Sequence, residues 1–187
     1  TTKVVKNGVR QFTGTDRTNF FTNLYDHDIP AAGTPLREAT ISVGEYFKRT
    51  DDQGPWGQTP GSTGGTQHEC RQNFNILMTD GYWTEGSISG MDNSDNQSGS
   101  TITNDSSPAT PASYTYSPSS PYSDAYSDTL ADVAMHYWKN DLRTDMLNKV
   151  PTNAHDPAFW QHLVNFTVGL GVTGSLSSLP SGSGSWP

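Results

Sequence analysis

Two short apolar runs, each preceded by a helical pattern, limit the possible folds of this chain more than any other feature. The runs occupy residues 74–79 and 163–169, and neither alternates cleanly between apolar and polar residues. Such runs are typical of strands that are covered on both faces, as in parallel sheets. We therefore expect an α/β domain with a mostly parallel sheet and helices on its faces.

Three helical patterns accompany these runs. The first carries aromatic residues at helical spacing and ends before Pro30. The second covers about 35–48, with Thr34 at the N-cap and Pro35 at the first helical position. The third begins after Thr129, which starts a sequence typical of a capping box. The order helix, strand, helix, strand predicts that both strands end at the same edge of the sheet, where ligands bind in such folds.

Polar segments separate these elements. Residues 51–65 are rich in Gly and Pro and predict an exposed loop that carries Trp56. Residues 86–123 are biased toward Ser, Thr, Asn and Pro, so we expect a poorly structured insertion that adds little to the core. Residues 174–187 resemble a linker or tail rich in Ser and Gly. The domain is therefore expected to cover 1–173.

Composition excludes several functional classes. The 187 residues carry a formal net charge of -8, which would repel phosphate backbones and anionic lipid, so nucleic acid is not an expected partner. No stretch approaches the roughly 20 apolar residues of a membrane span. Polarity that comes from Ser, Thr, Asn and Gly favours a secreted or surface protein. The chain begins at Thr1, without an initiator Met, and is expected to be a processed product or part of a longer protein.

A few residues are candidates for a functional site. Asp80 follows an apolar strand directly, so its carboxylate is available to a hard cation, to a ligand or to a hairpin turn with the next residue. Thr34 caps a helix or faces a metal. Trp56 and Trp83 flank the expected ligand face, where they contact a ligand or pack. Cys70, the single cysteine, is an inert thiol or half of a disulfide to a segment outside this chain.

Motifs of common enzyme classes are absent from the sequence. It contains no G-x-S-x-G, H-E-x-x-H, G-x-x-x-x-G-K-[ST] or G-x-G-x-x-G, and its five histidines form no ligand-spaced pair. We therefore expect a protein that is not an enzyme.

Three of the motifs resemble the second half of a von Willebrand factor A domain. They are G-T-P-L at 33–36, L-M-T-D-G at 77–81 and F-T-V-G-L-G at 166–171. In that family the Thr of the G-T-P loop and the Asp of the T-D-G turn help to form a metal-ion-dependent adhesion site. The resemblance implies that Thr34 and Asp80 are metal-site members for a divalent cation, Mg²⁺ or Ca²⁺, and that the fold is doubly wound with a long polar insertion.

Longer blocks resemble one branch, the PilC/PilY family of type IV pilus assembly factors and tip-associated adhesins. The similarity covers most of 9–172 and rests on V-R-Q-F at 9–12, G-T-P-L-R-E-A at 33–39, C-R-Q-N-F-N-I-L-M-T-D-G-Y-W at 70–83, T-L-A-D-V-A-M-H-Y-W at 129–138 and D-P-A-F-W-Q-H at 156–162. It implies an exported bacterial module for adhesion and pilus biogenesis, located outside the cell at the pilus tip. The implied partners are minor pilins or the pilus tip, and a host or abiotic surface ligand.

The chain departs from the family at one motif. The family's metal site also needs D-x-S-x-S after the first strand, and the nearest sequence here is D-N-S-D-N at 92–96, in the wrong region. The motif is expected before Thr1, on a middle strand beside the run that ends at Asp80. The metal site of this chain is therefore expected to be incomplete. A second hypothesis follows, in which the chain is a structural scaffold of a surface filament or tip assembly, without a working metal site and held by strand or loop exchange.

Overall fold

The elements of the fold follow the order that the sequence predicts. The computed structural model describes residues 5–28 and 33–171, so the predicted tail at 174–187 lies outside the described residues. Within them the elements are α1 (Gly14–Tyr25), α2 (Leu36–Phe47), β1 (Phe74–Thr79), β2 (Ile102–Thr103), β3 (Ser113–Tyr114), α3 (Leu130–Lys139) and β4 (Val164–Gly169). The predicted helices and both predicted strands are thus confirmed.

The N-termini of α2 and α3 differ from one another. At α3 the hydroxyl of Thr129 accepts a hydrogen bond from the amide of Asp132, whose carboxylate accepts from the Thr129 amide, so the predicted capping box is confirmed. At α2 the helix begins at Leu36, and Pro35 stands at the N-cap without a side-chain capping bond. The prediction that Thr34 caps this helix is therefore wrong.

The strands β1 and β4 form a parallel pair in which Phe74 lies opposite Val164 and Thr79 lies opposite Gly169. This register confirms that both strands end at the same edge. Helices α2 and α3 pack together and lie on one face of the pair, where Leu77 of β1 shares a cleft of about 250 Å³ with residues of both helices. The observed fold is therefore α/β, with one layer of helices on a two-stranded parallel sheet.

The opposite face of this sheet is uncovered, which corrects the prediction that both faces are buried. We call it the open face. Alternate residues of β1 are exposed, and Ile76 retains 65% of its accessible surface. The open face consists of five exposed apolar side chains, Phe74, Ile76, Met78, Phe166 and Val168. Among the described residues, no strand pairs with the free edge of β1.

The polar insertion contributes to the core, contrary to expectation. Ile88, Met91, Ile102 and Tyr116 are buried within it. Its short strands β2 and β3 pair with each other, and the Tyr114 ring stacks on that of Trp160 at a centroid distance of 5.2 Å. Within the D-N-S-D-N segment of this insertion, Ser94–Asn96 form a short 3-10 helix. Single aromatic and aliphatic residues thus fill the core without any periodic pattern.

The loop at 51–65 is also less exposed than its composition predicts. Trp56 has no accessible surface, and its indole N–H donates to the backbone oxygen of Phe47 at 2.7 Å. Among the described residues, no helix is long and apolar enough to cross a membrane.

Candidate functional site

The shared carboxyl edge of β1 and β4 forms the candidate site. The Leu170 amide donates to the Thr79 carbonyl at 2.8 Å, which extends the pairing beyond the strands. The Thr79 hydroxyl accepts from the Gly81 amide at 3.1 Å and lies 2.8 Å from the Gly81 carbonyl, so it closes the T-D-G turn. Asp80 lies exposed in this turn. Because β1 pairs in parallel with β4 and no strand follows the turn directly, the hairpin interpretation of Asp80 is wrong.

The loop that carries Thr34 is bound to the loop that Asp80 begins. The Thr34 amide donates to the hydroxyl of Thr84 at 2.6 Å, and the Thr84 amide donates to the Thr34 carbonyl at 3.1 Å. A Cβ atom at Gly33 would lie 2.6 Å from the same Thr84 hydroxyl, so a larger residue at this position would have to displace the Thr84 side chain. The structure therefore brings the two resemblance-implied metal-site residues to one edge of the sheet.

A buried ion pair lies beneath these loops. Arg37, in the first turn of α2, donates from both its amide and Nε to the Glu85 Oε1 atom, each at 2.8 Å. Its Nη1 donates to the Asp128 carbonyl at 2.7 Å, and its Nη2 donates to the Gly86 carbonyl at 2.8 Å. The guanidinium thus joins the loop after β1 to the residues just before α3.

The two candidate contact tryptophans have different environments. Trp83 is 40% exposed, and the Arg37 guanidinium carbon lies 5.0 Å from its ring centroid. This contact supports the ring from the protein side by a cation–π interaction. Trp56 is fully buried in the core and presents no surface to a ligand. Trp56 therefore packs in the core, which was the alternative to ligand contact that the sequence left open.

The donor set at the edge fits a hard cation in chemical type but not in number. Thr34 and Asp80 supply a hydroxyl and a carboxylate, the oxygen ligands that Mg²⁺ and Ca²⁺ prefer. Across the part of the chain that the structure describes, no group of three or more His, Cys, Asp or Glu side chains is arranged to hold a metal. Further ligands would have to come from outside these residues, so no cation-dependent step is derived from them alone.

Cys70 lies just before β1 and is exposed as a free thiol. Its exposure leaves open both interpretations from the sequence, an inert thiol and a disulfide to a segment outside the chain.

Sequence reasoning missed Arg37, Thr84 and Glu85 as parts of this site. A signal for Arg37 was present, because it shares the buried stripe of α2 with Thr40, Gly44 and Phe47. A cation at a core-facing helical position needs a buried partner. No comparable signal marks Thr84 or Glu85, since their partners lie about 50 residues away in the sequence.

Curated proteins resemble most of the chain. It is 40% identical over 188 aligned positions to "Type IV pilus biogenesis factor PilY1" of Pseudomonas aeruginosa strain PAK and 40% identical over 188 to that of strain PAO1, in each case across 92% of the chain. The protein of the same name from strain UCBPP-PA14 is 33% identical over 196 positions, across 96% of the chain. The chain has PilY1 homologues. The resemblance to PilY-type proteins is thus confirmed.

These matches cover only part of each relative. The chain spans 15% of the length of the PAK and PAO1 proteins and 16% of the UCBPP-PA14 protein. No family model matches the chain, and no solved structure matches it significantly. The von Willebrand factor A interpretation therefore stays a prediction, consistent with the α/β fold and the parallel pair.

Proposed function

We propose that this chain belongs to an exported protein of the type IV pilus, in which it acts as an adhesion and pilus biogenesis module and not as an enzyme. The observation that carries the proposal is the 40% identity to PilY1 across 92% of the chain. The proposed location is the cell surface or pilus tip. The proposed partners are minor pilins or the tip itself, together with a host or abiotic surface ligand.

We place ligand binding at the edge that carries Thr34 and Asp80. Asp80 is exposed in a turn closed by Thr79, and the Thr34 loop is held beside it through Thr84. A divalent cation bound there would leave coordination positions open to a carboxylate of the partner. Trp83 supplies an exposed aromatic surface next to the same loops. The remaining cation ligands are proposed to come from the longer protein.

The proposal is tested in the full-length protein with Asp80→Ala. We expect cation-dependent adhesion of piliated cells to fall to the level of wild-type cells treated with EDTA, because a cation ligand is lost. Glu38→Ala is the matched control, since Glu38 is another exposed carboxylate near the same end of α2, and it should leave adhesion unchanged. Wild-type adhesion and wild-type EDTA sensitivity in Asp80→Ala would contradict the cation site.

We further propose that the sheet is completed to a doubly wound, von Willebrand factor A-like domain by other segments of the same longer polypeptide. The open face and the free edge of β1 support this, because parallel sheets normally have both faces covered and few have only two strands. Completion would place an additional strand beside β1, next to Asp80.

The second candidate function is a scaffold without a working metal site, held by strand exchange with a neighbouring subunit. The same free edge of β1 favours it. A photo-crosslinker on Ile76→Cys, in a full-length Cys70→Ser background, separates the two proposals. Crosslinks within one polypeptide support the completed domain, whereas crosslinks between subunits support the scaffold.

A further inference from the structure

One buried arginine joins three separate segments at the carboxyl edge. From the first turn of α2, Arg37 reaches Glu85 and Gly86 in the loop after β1, and Asp128 just before α3. Only 9% of its side-chain surface is exposed, and 5% of that of Glu85. No other described residue hydrogen-bonds to both of these loops from α2 with its side chain.

The geometry of these bonds depends on the guanidinium group. Nε, Nη1 and Nη2 of Arg37 each donate to a different acceptor at 2.7–2.8 Å. A planar fork with five N–H donors can satisfy such diverging acceptors at once, whereas an ammonium group is a point charge without a fixed fork. Lysine at position 37 would keep the charge and lose the arrangement of the bonds.

The ion pair is poorly optimised for stability. Glu85 Oε1 accepts two hydrogen bonds, but Glu85 Oε2 is buried and has no hydrogen-bond partner among the described residues. Burial of a charged pair with an unpaired oxygen gives little net stability compared with apolar packing. Its contribution is therefore better explained by the geometry that it imposes on the surrounding loops.

Two functional candidates depend on this geometry. The Trp83 ring rests on the Arg37 guanidinium and is 40% exposed. The residue between Trp83 and Glu85 is Thr84, which binds the Thr34 backbone in both directions. Movement of Glu85 would therefore move both the aromatic surface and the partner of the Thr34 loop.

We propose that Arg37 is a positioning residue for the ligand-binding edge, holding Trp83 and the Thr34 loop in a single arrangement before a ligand arrives. The role in ligand binding rests on the proposed adhesion function. The order that Arg37 imposes on the two loops can be measured by hydrogen exchange, independently of adhesion.

Hydrogen exchange measured by mass spectrometry on the full-length protein tests the positioning. In Arg37→Lys, we expect exchange of peptides that contain the Thr34 and Thr84 amides to rise about tenfold or more, because both amides are hydrogen-bonded in the held arrangement. Exchange in β1 and in the last two turns of α2 should stay at the wild-type rate. A general loss of stability would raise exchange in these elements as well.

Arg49→Lys is the matched control. Arg49 follows α2 at its other end, pairs with Asp51 and lies 5.6 Å from the Tyr46 ring centroid, so it has the same kinds of contact in an exposed setting. It should leave the Thr34 and Thr84 peptides unchanged. Glu85→Gln keeps an oxygen that can accept from Arg37, so we expect a smaller local rise there, and it serves as the test if Arg37→Lys does not fold.

Adhesion of the same variants separates the two claims. A local rise in exchange together with reduced cation-dependent adhesion supports both. A local rise with wild-type adhesion supports the positioning and contradicts the proposed ligand edge. Unchanged exchange at Thr34 and Thr84, or a uniform rise across α2, β1 and α3, overturns the positioning role of Arg37.

Discussion

In the β1–β4 sheet the apolar face is exposed, whereas the more polar face lies against the helices. The face toward the helices, or covered face, is largely polar and carries the half-buried residues Asn75, Leu77, Thr79 and Asn165. The open face carries Phe74, Ile76, Met78, Phe166 and Val168, all of them exposed. Apolar residues of two adjacent strands thus face solvent, while the side-chain amides of Asn75 and Asn165 lie on the helix side.

The exposed apolar residues of the open face support the proposal that another segment covers it. Single exposed apolar residues are ordinary, but a contiguous patch of a few hundred Å² marks a surface that another element covers. On the covered face, Asn75 Nδ2 donates to Asn165 Oδ1 at 2.9 Å, so its polar groups partly satisfy each other. The core of the described chain lies instead between the helices, the insertion and the loops.

The largest effect is expected on the covered side, at Leu163. This side chain is fully buried and belongs to the core that Phe47, Val133 and Tyr137 share. Leu163→Ala should lower the free energy of unfolding by about 2–5 kcal/mol, because it removes buried methyl groups and leaves a cavity. Denaturant unfolding followed by tryptophan fluorescence measures it. A change below about 0.5 kcal/mol, the range of surface substitutions, would show that this core is not formed as described.

A pair of neighbouring residues compares the two faces directly. In the 187-residue chain, Leu77→Ala on the covered face should destabilise by about 1–2 kcal/mol, whereas Ile76→Ala on the open face should change stability by less than about 0.5 kcal/mol. In the full-length protein the proposed cover of the open face should raise the cost of Ile76→Ala above about 1 kcal/mol. Equal, small effects of Ile76→Ala in both proteins would show that the face stays open.

The smallest effect concerns the pH dependence of stability, through a half-buried carboxylate in the loop before β4. Asp156 Oδ2 lies 2.9 Å from His162 Nε2, and Asp156 Oδ1 accepts from the Ala158 amide. Burial alone raises the pKa of Asp156, but the His162 hydrogen bond and charge and the Ala158 amide together lower that pKa below its ordinary value. The charged carboxylate therefore stabilises the fold above about pH 4, and this stabilisation is lost as the pH falls through the lowered pKa.

Asp156→Asn should thus lower the free energy of unfolding by about 1 kcal/mol at pH 7, and the difference from wild type should vanish once the pH has fallen through the lowered pKa of Asp156. The exposed residue Asp26 offers the control Asp26→Asn, which makes the same chemical change without a buried partner and should show little effect at either pH. A difference between Asp156→Asn and wild type that persists at low pH would show that the carboxylate charge is not its cause.

Local sequence patterns predicted the helices and strands, whereas tertiary contacts decided which side chains are buried. The capping box at Thr129 and the apolar run at 74–79 depend on residues within one element, so the sequence was sufficient for them. Trp56 is buried by partners that composition does not reveal, and the insertion packs through isolated residues such as Tyr116. Loop composition measures average polarity and does not show which single side chains point inward.

The candidate site likewise has features that the sequence predicts and features that only tertiary contacts create. The sequence by itself determined the residue types, a Thr before a helix and an Asp after a strand, and the similarity to PilY1. Only the tertiary structure decided that Thr34 and Thr84 bind each other, that Arg37 lies beneath Trp83, and that the more apolar sheet face is exposed. These contacts join residues about 50 positions apart, and neither periodicity nor local propensity contains the information that brings them together.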